Sequence, residues 1–129
     1  MFTVSKKIEI SAAHKLDLPY DSPCERLHGH NWIIEVEFAC QTLTKAGMVI
    51  DFKCLKEAMN EVIKETLDHQ YLNEVLRFNP TAENLAKWIA VEMQSYVVGD
   101  GPEAPADEIP MVSKVTVRES EGNTACYIP

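Results

Sequence analysis

Two stretches of this chain alternate apolar and polar side chains with a period of two, and histidine closes the first and opens the second. From Phe2 to His14 the even positions read Phe, Val, Lys, Ile, Ile, Ala and His, while the odd ones are mostly small or polar. From His28 to Gln41 the repeat is cleaner: His28, His30, Trp32, Ile34, Val36, Phe38 and Cys40 fall on one face, blurred only by Ile33 and Ala39. Period two is the pattern of a half-buried strand, because successive side chains point to opposite faces of the sheet. Paired antiparallel, the two strands set His14 at the end of one beside His28 at the start of the other, with His30 two residues on along the same face. The connection 15–27, with Pro19, Asp21, Ser22 and Pro23, is too long for a tight turn, and loops of that length tend to carry function.

The rest of the chain fixes the class. Phe52, Leu55, Met59, Val62 and Thr66 recur at helical spacing behind Asp51 as N-cap, predicting a helix over about 51–67. Thr81 is placed to cap a second helix with Leu85, Trp88, Ile89, Glu92, Met93 and Tyr96 on one face, a stripe that Glu92 interrupts. Residues 99–110, rich in proline, glycine and acids, predict a flexible surface loop. Val112, Val115 and Val117 leading to Glu119, a turn at Glu121-Gly122-Asn123, and residues 125–128 predict a C-terminal hairpin. The order strand, strand, helix, helix, strand, strand gives an α+β fold: a four-stranded antiparallel sheet with two helices packed on one face. The 129 residues leave room for a single domain, 1–129, and the open sheet edges predict oligomerisation through the sheet.

Three imidazoles meeting at one sheet end suit Zn²⁺, and three protein ligands with an open fourth position are the catalytic arrangement, whereas structural zinc is normally closed by four. Histidines that merely hydrogen-bond inside a core are the plainer alternative. Cys24 lies four residues before His28 in Cys24-Glu25-Arg26-Leu27-His28-Gly29-His30, the one thiol positioned to react near a dication. Cys40, Cys54 and Cys126 fall in strand or helix patterns and read as buried small apolar residues, and no Cys-x-x-Cys pair suggests a thiolate zinc site. Asp68-His69 follows the first helix, where a carboxylate orients a proton-shuttling imidazole; a histidine favoured by a helix C-terminus fits the same position. Glu119 follows Val115 and Val117, so an inward register would leave a carboxylate in need of a partner such as an amidine-like N–H pair, while an outward one would leave it in water.

Twelve Lys and Arg against twenty Asp and Glu give a net charge of −8, which disfavours nucleic acid as a partner. No apolar run reaches signal-peptide or membrane-span length, so a soluble cytoplasmic protein is expected, with no membrane partner. An anionic ligand would need a local positive field, for which Lys15, Arg26, Lys114 and Arg118 are candidates.

Ala12-Ala13-His14, the Cys24 to His30 segment, Gly47-Met48-Val49-Ile50-Asp51-Phe52, Leu67-Asp68-His69, Pro80-Thr81-Ala82-Glu83-Asn84-Leu85 and Glu119 together resemble the 6-pyruvoyltetrahydropterin synthase and 6-carboxytetrahydropterin synthase family. The resemblance implies a tunnelling fold and a zinc ion held by His14, His28 and His30. It implies Cys24 as catalytic thiol, Asp68 and His69 as proton-transfer partners, Glu119 as pterin anchor, and Thr81 and Glu83 as further pterin contacts. It also implies a homohexamer, a dimer of trimers with active sites at subunit boundaries. The three residues between Cys24 and His28 resemble the bacterial 6-carboxytetrahydropterin synthase branch of queuosine biosynthesis. That branch converts 7,8-dihydroneopterin triphosphate to 6-carboxytetrahydropterin, acetaldehyde and triphosphate. Glu25 beside Cys24 resembles a subgroup that also cleaves the pterin side chain to 6-hydroxymethyl-7,8-dihydropterin for folate synthesis; a solvated loop carboxylate is the plainer reading. A 6-pyruvoyltetrahydropterin synthase, a zinc hydrolase with Glu25 as base, and a non-catalytic zinc-binding module are the alternatives.

Overall fold

The computed structural model describes residues 1–99 and 104–129. In chain order the elements are β1 (Phe2–His14), β2 (His28–Cys40), α1 (Phe52–Met59), a π-helical turn (Asn60–Lys64), α2 (Glu65–Leu67), β3 (Gln70–Tyr71), α3 (Leu72–Val75), α4 (Ala82–Val98), β4 (Met111–Ser120) and β5 (Asn123–Tyr127). Short 3-10 turns occupy Pro23–Glu25 and Ala106–Glu108. The strands form one sheet in the order β3-β1-β2-β4-β5. β1 and β2 pair antiparallel without a break from Phe2↔Cys40 to His14↔His28, so the two histidines sit directly opposite each other as the alternation predicts.

The sheet has five strands where the sequence predicts four. β3 is two residues long and runs parallel to β1 at Ala12↔Gln70 and Ala13↔Tyr71. Two residues cannot display a period, so this strand leaves no trace in the hydrophobic pattern. The even face of β1 and β2 is covered by the helices; Trp32, Ile34, Val36 and Phe38 are all buried there beside Val115 and Val117 of β4. On the opposite face the side chains are mostly polar, apart from Ala13, Ile33 and Ala39, with Ser5 Oγ donating to Glu35 and Ser113 Oγ donating to Glu37.

The first helix is longer and less regular than its pattern suggests. Leu55, Met59, Ile63 and Leu67 are each fully buried at a constant spacing of four, while Phe52 is exposed. Four residues overshoot one α-helical turn, so a straight helix would rotate this row off the core. The π-helical turn, with Glu65 N–H bonded to Asn60 C=O, takes up the overshoot and keeps all four inside. This is why Ile63 and Leu67 are buried where the helical period selects Val62 and Thr66. Asp51 caps the helix as expected, accepting from Lys53 N at 2.8 Å.

On α4 the buried row is Ala82, Leu85, Ala86, Ile89, Ala90 and Met93, a stripe rotated from the predicted one. Counting alanine as core-facing removes the anomaly: Glu92 and Tyr96 lie on the exposed side. Cys40 is buried as expected, but Cys54 and Cys126 are exposed and all four thiols are free. Cys54 precedes the buried Leu55 on the outer side of α1, and Cys126 follows the buried Ala125 on the outward face of β5. Part of the expected flexible loop, 100–103, lies outside the described residues. The segment that follows is tied to the end of β2: Asp107 C=O accepts from Thr42 N at 3.0 Å and from Cys40 Sγ at 3.2 Å.

Candidate metal centre and active site

The end of the sheet where β1 meets β2 gathers His14, His28 and His30. Their ring centroids stand 4.5 to 5.2 Å apart. Trp32 forms the floor, edge-on to His14 at 4.9 Å and to His30 at 5.3 Å, with its indole N–H donating to Ala12 C=O. His14 Nδ1 lies 2.8 Å from Pro80 O, and His28 Nδ1 lies 2.6 Å from Arg26 O. A carbonyl can only accept, so in both rings Nδ1 carries a proton, and in the neutral tautomer Nε2 is the nitrogen left with a lone pair. Those two bare nitrogens face each other at 3.0 Å. Two lone pairs at that distance repel unless a cation lies between them.

Glu119 completes the group. Its Oε1 is 3.1 Å from His30 Nε2, yet the approach lacks the angle of a hydrogen bond, so His30 Nε2 is a buried nitrogen with no hydrogen-bond partner. One ligand atom from each of His14, His28, His30 and Glu119 lies within 4.8 Å of the others. Burial pushes the imidazoles of His14 and His30 below the ordinary histidine range. The carbonyl of Pro80 works against this on His14 and Glu119 against it on His30, while the like charge of His28 adds to it on both. Three converging imidazoles, two of them oriented by backbone carbonyls and the third with an unpartnered Nε2, fit Zn²⁺.

Asp68 and His69 are held to β1 at a separate point. Asp68 Oδ1 accepts from Ser11 N at 2.9 Å and lies 3.0 Å from His69 Nδ1, while His69 N donates to Ser11 O. Both backbone groups of Ser11 are thus spent on this dyad. His69 has φ 59, in the left-handed region that costs a histidine energy, and the clamp on either side sustains it. The Ser11 hydrogen bond, chiefly, and His69 hold the Asp68 carboxyl below the usual aspartate range, against the opposing effect of burial. His69 lines an open cleft of about 540 Å³ with Ser11, Ala13, Gly29, Asn31 and Tyr71, and of the three residues of the imidazole group only His30 borders it.

Cys24 sits half-buried in the Pro23–Glu25 turn and stands outside the four-residue ligand group, as does the half-buried Glu25. Its place is set by backbone bonds: Leu16 N donates to Cys24 O at 2.7 Å, and Cys24 N donates to Ser22 Oγ at 3.2 Å. The segment holding Leu16 is itself clamped by two asparagines that act like a neighbouring strand. Asn73 bonds both backbone groups of Lys15, and Asn79 bonds both of Asp17. Thr81 Oγ1 caps α4 by accepting from Asn84 N, and Glu83 is exposed in the first turn of α4; both stand outside the ligand group. The orienting carbonyls of Pro80 and Arg26 and the clamps Asn73 and Asn79 have no counterpart in the sequence reading. A backbone carbonyl has no side-chain signature, and only a trial threading of residues 15–17 past residues 73–79 could have found the clamps.

A sequence profile of the 6-pyruvoyl tetrahydropterin synthase family matches residues 3–129. The chain belongs to the 6-pyruvoyl tetrahydropterin synthase family. Among curated relatives of this family, the 6-carboxy-5,6,7,8-tetrahydropterin synthase of Synechocystis is 36% identical over 99 residues, covering 73% of this chain and 76% of its own. The dihydroneopterin monophosphate aldolase of Pyrococcus furiosus is 37% identical over 94 residues, with the same two coverages. The solved 6-pyruvoyl tetrahydropterin synthase of Caenorhabditis elegans superposes with a TM-score of 0.77 at 26% identity, covering 99% of this chain and 95% of that one. Family and tunnelling fold are therefore those the motifs imply, and the relatives are pterin synthases and an aldolase, which makes this synthase-family chain a pterin-processing lyase in outline. Among the described residues no helix is long and apolar enough to cross a membrane.

Proposed function

We propose that the protein is a zinc-dependent 6-carboxytetrahydropterin synthase. It takes 7,8-dihydroneopterin triphosphate and one water to 6-carboxytetrahydropterin, acetaldehyde and triphosphate, the water supplying the second carboxyl oxygen, in the cytoplasm, for queuosine biosynthesis. The observation that carries the reading is the pair of bare Nε2 atoms of His14 and His28 at 3.0 Å beside the unpartnered Nε2 of His30. The similarity to the Synechocystis synthase supplies the substrate class. Zinc held by His14, His28 and His30 supplies Lewis-acid polarisation of a substrate side-chain oxygen, which acidifies the adjoining C–H.

The chain's own groups do the remaining work. Glu119 accepts the paired N–H groups of the pterin ring and sets its orientation, with Thr81 and Glu83 as further contacts. The Cys24 thiolate takes a proton from the side-chain carbon. His69, oriented by Asp68, delivers a proton to another atom of the substrate, so hydrogen is redistributed without a redox cofactor. Lys15, Arg26, Lys114 and Arg118 are all exposed and provide the local positive charge for the triphosphate. β3 pairs with β1 only at Ala12 and Ala13, leaving most of that edge open, which supports assembly of trimers through their sheets into a homohexamer.

A second activity has a specific observation in its favour: Glu25 adjoins Cys24, and one relative is named an aldolase. In this reading Glu25 serves as base for cleaving the pterin side chain to 6-hydroxymethyl-7,8-dihydropterin. Product analysis with zinc-loaded protein and 7,8-dihydroneopterin triphosphate tests both. Cys24→Ala is expected to abolish the carboxy product, and Glu25→Ala to abolish the hydroxymethyl product alone. Wild-type protein that yields neither product would overturn the assignment.

A further inference from the structure

We propose that Glu119 is itself a fourth metal ligand in the substrate-free protein and leaves the metal when a pterin ring claims its carboxylate. The inference rests on the reading of His14, His28 and His30 as metal ligands and deepens it, since it says what occupies the fourth position before substrate arrives. Val115 and Val117 of β4 are fully buried, and the alternation carries Glu119 onto the same inward face. Its side chain is 24% exposed, and among the described residues His30 is the basic group within ion-pair distance of it. No lysine or arginine there answers the largely covered carboxylate, and the contact to His30 lacks hydrogen-bond geometry. A carboxylate and three imidazole nitrogens within 4.8 Å of one another, with His30 Nε2 unpartnered, are satisfied together by one divalent cation.

The distances agree. Bonds of about 2.0–2.2 Å in a tetrahedral site put ligand atoms about 3.3 Å apart. Here His14 to His28 is 3.0 Å and His30 to Glu119 is 3.1 Å. With every pair inside 4.8 Å, the widest has at most about 1.5 Å to close, the scale of a side-chain torsion adjustment. The consequence is a coupling between two events. A ring that offers two parallel N–H donors competes for the Glu119 carboxylate and frees one coordination position, so that the vacancy opens when the ring is seated. The group alternates between a closed four-ligand shell and an open three-ligand one, and the same carboxylate reads the ring and guards the metal.

The test uses Co²⁺, whose visible absorption reports its coordination, with full-length wild-type protein, Glu119→Ala, the isosteric Glu119→Gln and His14→Ala. Glu119→Ala is expected to weaken Co²⁺ binding at least about tenfold and to change the absorption spectrum. Unsubstituted pterin, which carries no side-chain oxygen for the metal, is expected to shift the wild-type spectrum toward that of Glu119→Ala and to leave the variant's spectrum unchanged. Glu119→Gln, read in the same way, covers a folding failure of the alanine variant. Wild-type affinity and spectrum in both Glu119 variants would overturn the ligand role, and a wild-type spectrum indifferent to bound pterin would overturn the release. His14→Ala that binds Co²⁺ as the wild type does would instead overturn the three-histidine reading on which this rests.

Discussion

Replacing Asp68 with asparagine removes one charge and leaves nearly the same shape. In the wild type Asp68 Oδ1 accepts from Ser11 N at 2.9 Å and pairs with His69 Nδ1 at 3.0 Å, with the side chain 23% exposed. A hydrogen bond to a charged group is worth about 1.5–3 kcal/mol net, and an asparagine oxygen retains the weaker neutral version. Allowing for partial exposure, the substitution should cost about 1–2 kcal/mol at pH 7. For a chain of this length that is a fall in melting temperature of about 3–10 °C. The pH dependence follows from the depressed Asp68 pKa, whose chief cause is the Ser11 hydrogen bond. A folded-state value below the ordinary 3.8 contributes stability that is complete above that value and is lost as pH falls through the folded one. Melting curves of both proteins from pH 7 to pH 2.5 should therefore show a gap that is constant at neutral pH and narrows below about pH 4. Titrations of groups that do not interact with Asp68 are common to the two proteins and cancel in the difference. Equal melting temperatures at pH 7, or a gap that persists unchanged to pH 2.5, would refute the clamp between the dyad and β1.

Three further outcomes follow from named contacts. Cys24→Ala should keep wild-type zinc stoichiometry by elemental analysis and lose about 10²- to 10⁴-fold in kcat; turnover within a few-fold of wild type would remove Cys24 from the chemistry. Asn79→Ala, which deletes both bonds to Asp17, should lower kcat more than it raises KM, leave metal content intact and raise the alkylation rate of Cys24. An unchanged alkylation rate would show that the clamp does not govern the thiol's turn. Ile63→Ala should destabilise by about 2–5 kcal/mol in urea unfolding, well above Val62→Ala, because the π-helical turn buries Ile63 fully; the reverse order would refute that turn.

The residues that report themselves by alternation were legible in the sequence. His14, His28 and His30 each sit on the buried phase of a strand, so pairing β1 with β2 brings them together without further information. For Glu119 the alternation left the inward and outward registers open, and the contact to His30 Nε2 is what sets it on the inward face. Features made by the backbone were hidden. The fifth strand is two residues long, the row at 55, 59, 63 and 67 needs a turn that no propensity announces, and Ala82, Ala86 and Ala90 are too small to stand out as a core stripe. The carbonyls of Pro80 and Arg26 settle which nitrogen of His14 and His28 is free, and that fact exists only in three dimensions. Cys24 was selected by its distance along the chain from His28, whereas its location depends on Leu16, Asn73 and Asn79, which sequence spacing does not connect.

X-ray absorption at the zinc edge of the purified wild-type protein bears most directly on the metal centre. About one zinc per chain with three imidazole nitrogens at about 2.0–2.1 Å is expected, and that signal should vanish in His28→Ala. A protein that converts 7,8-dihydroneopterin triphosphate at full rate with no metal, or a zinc shell of sulfur atoms, would contradict the account.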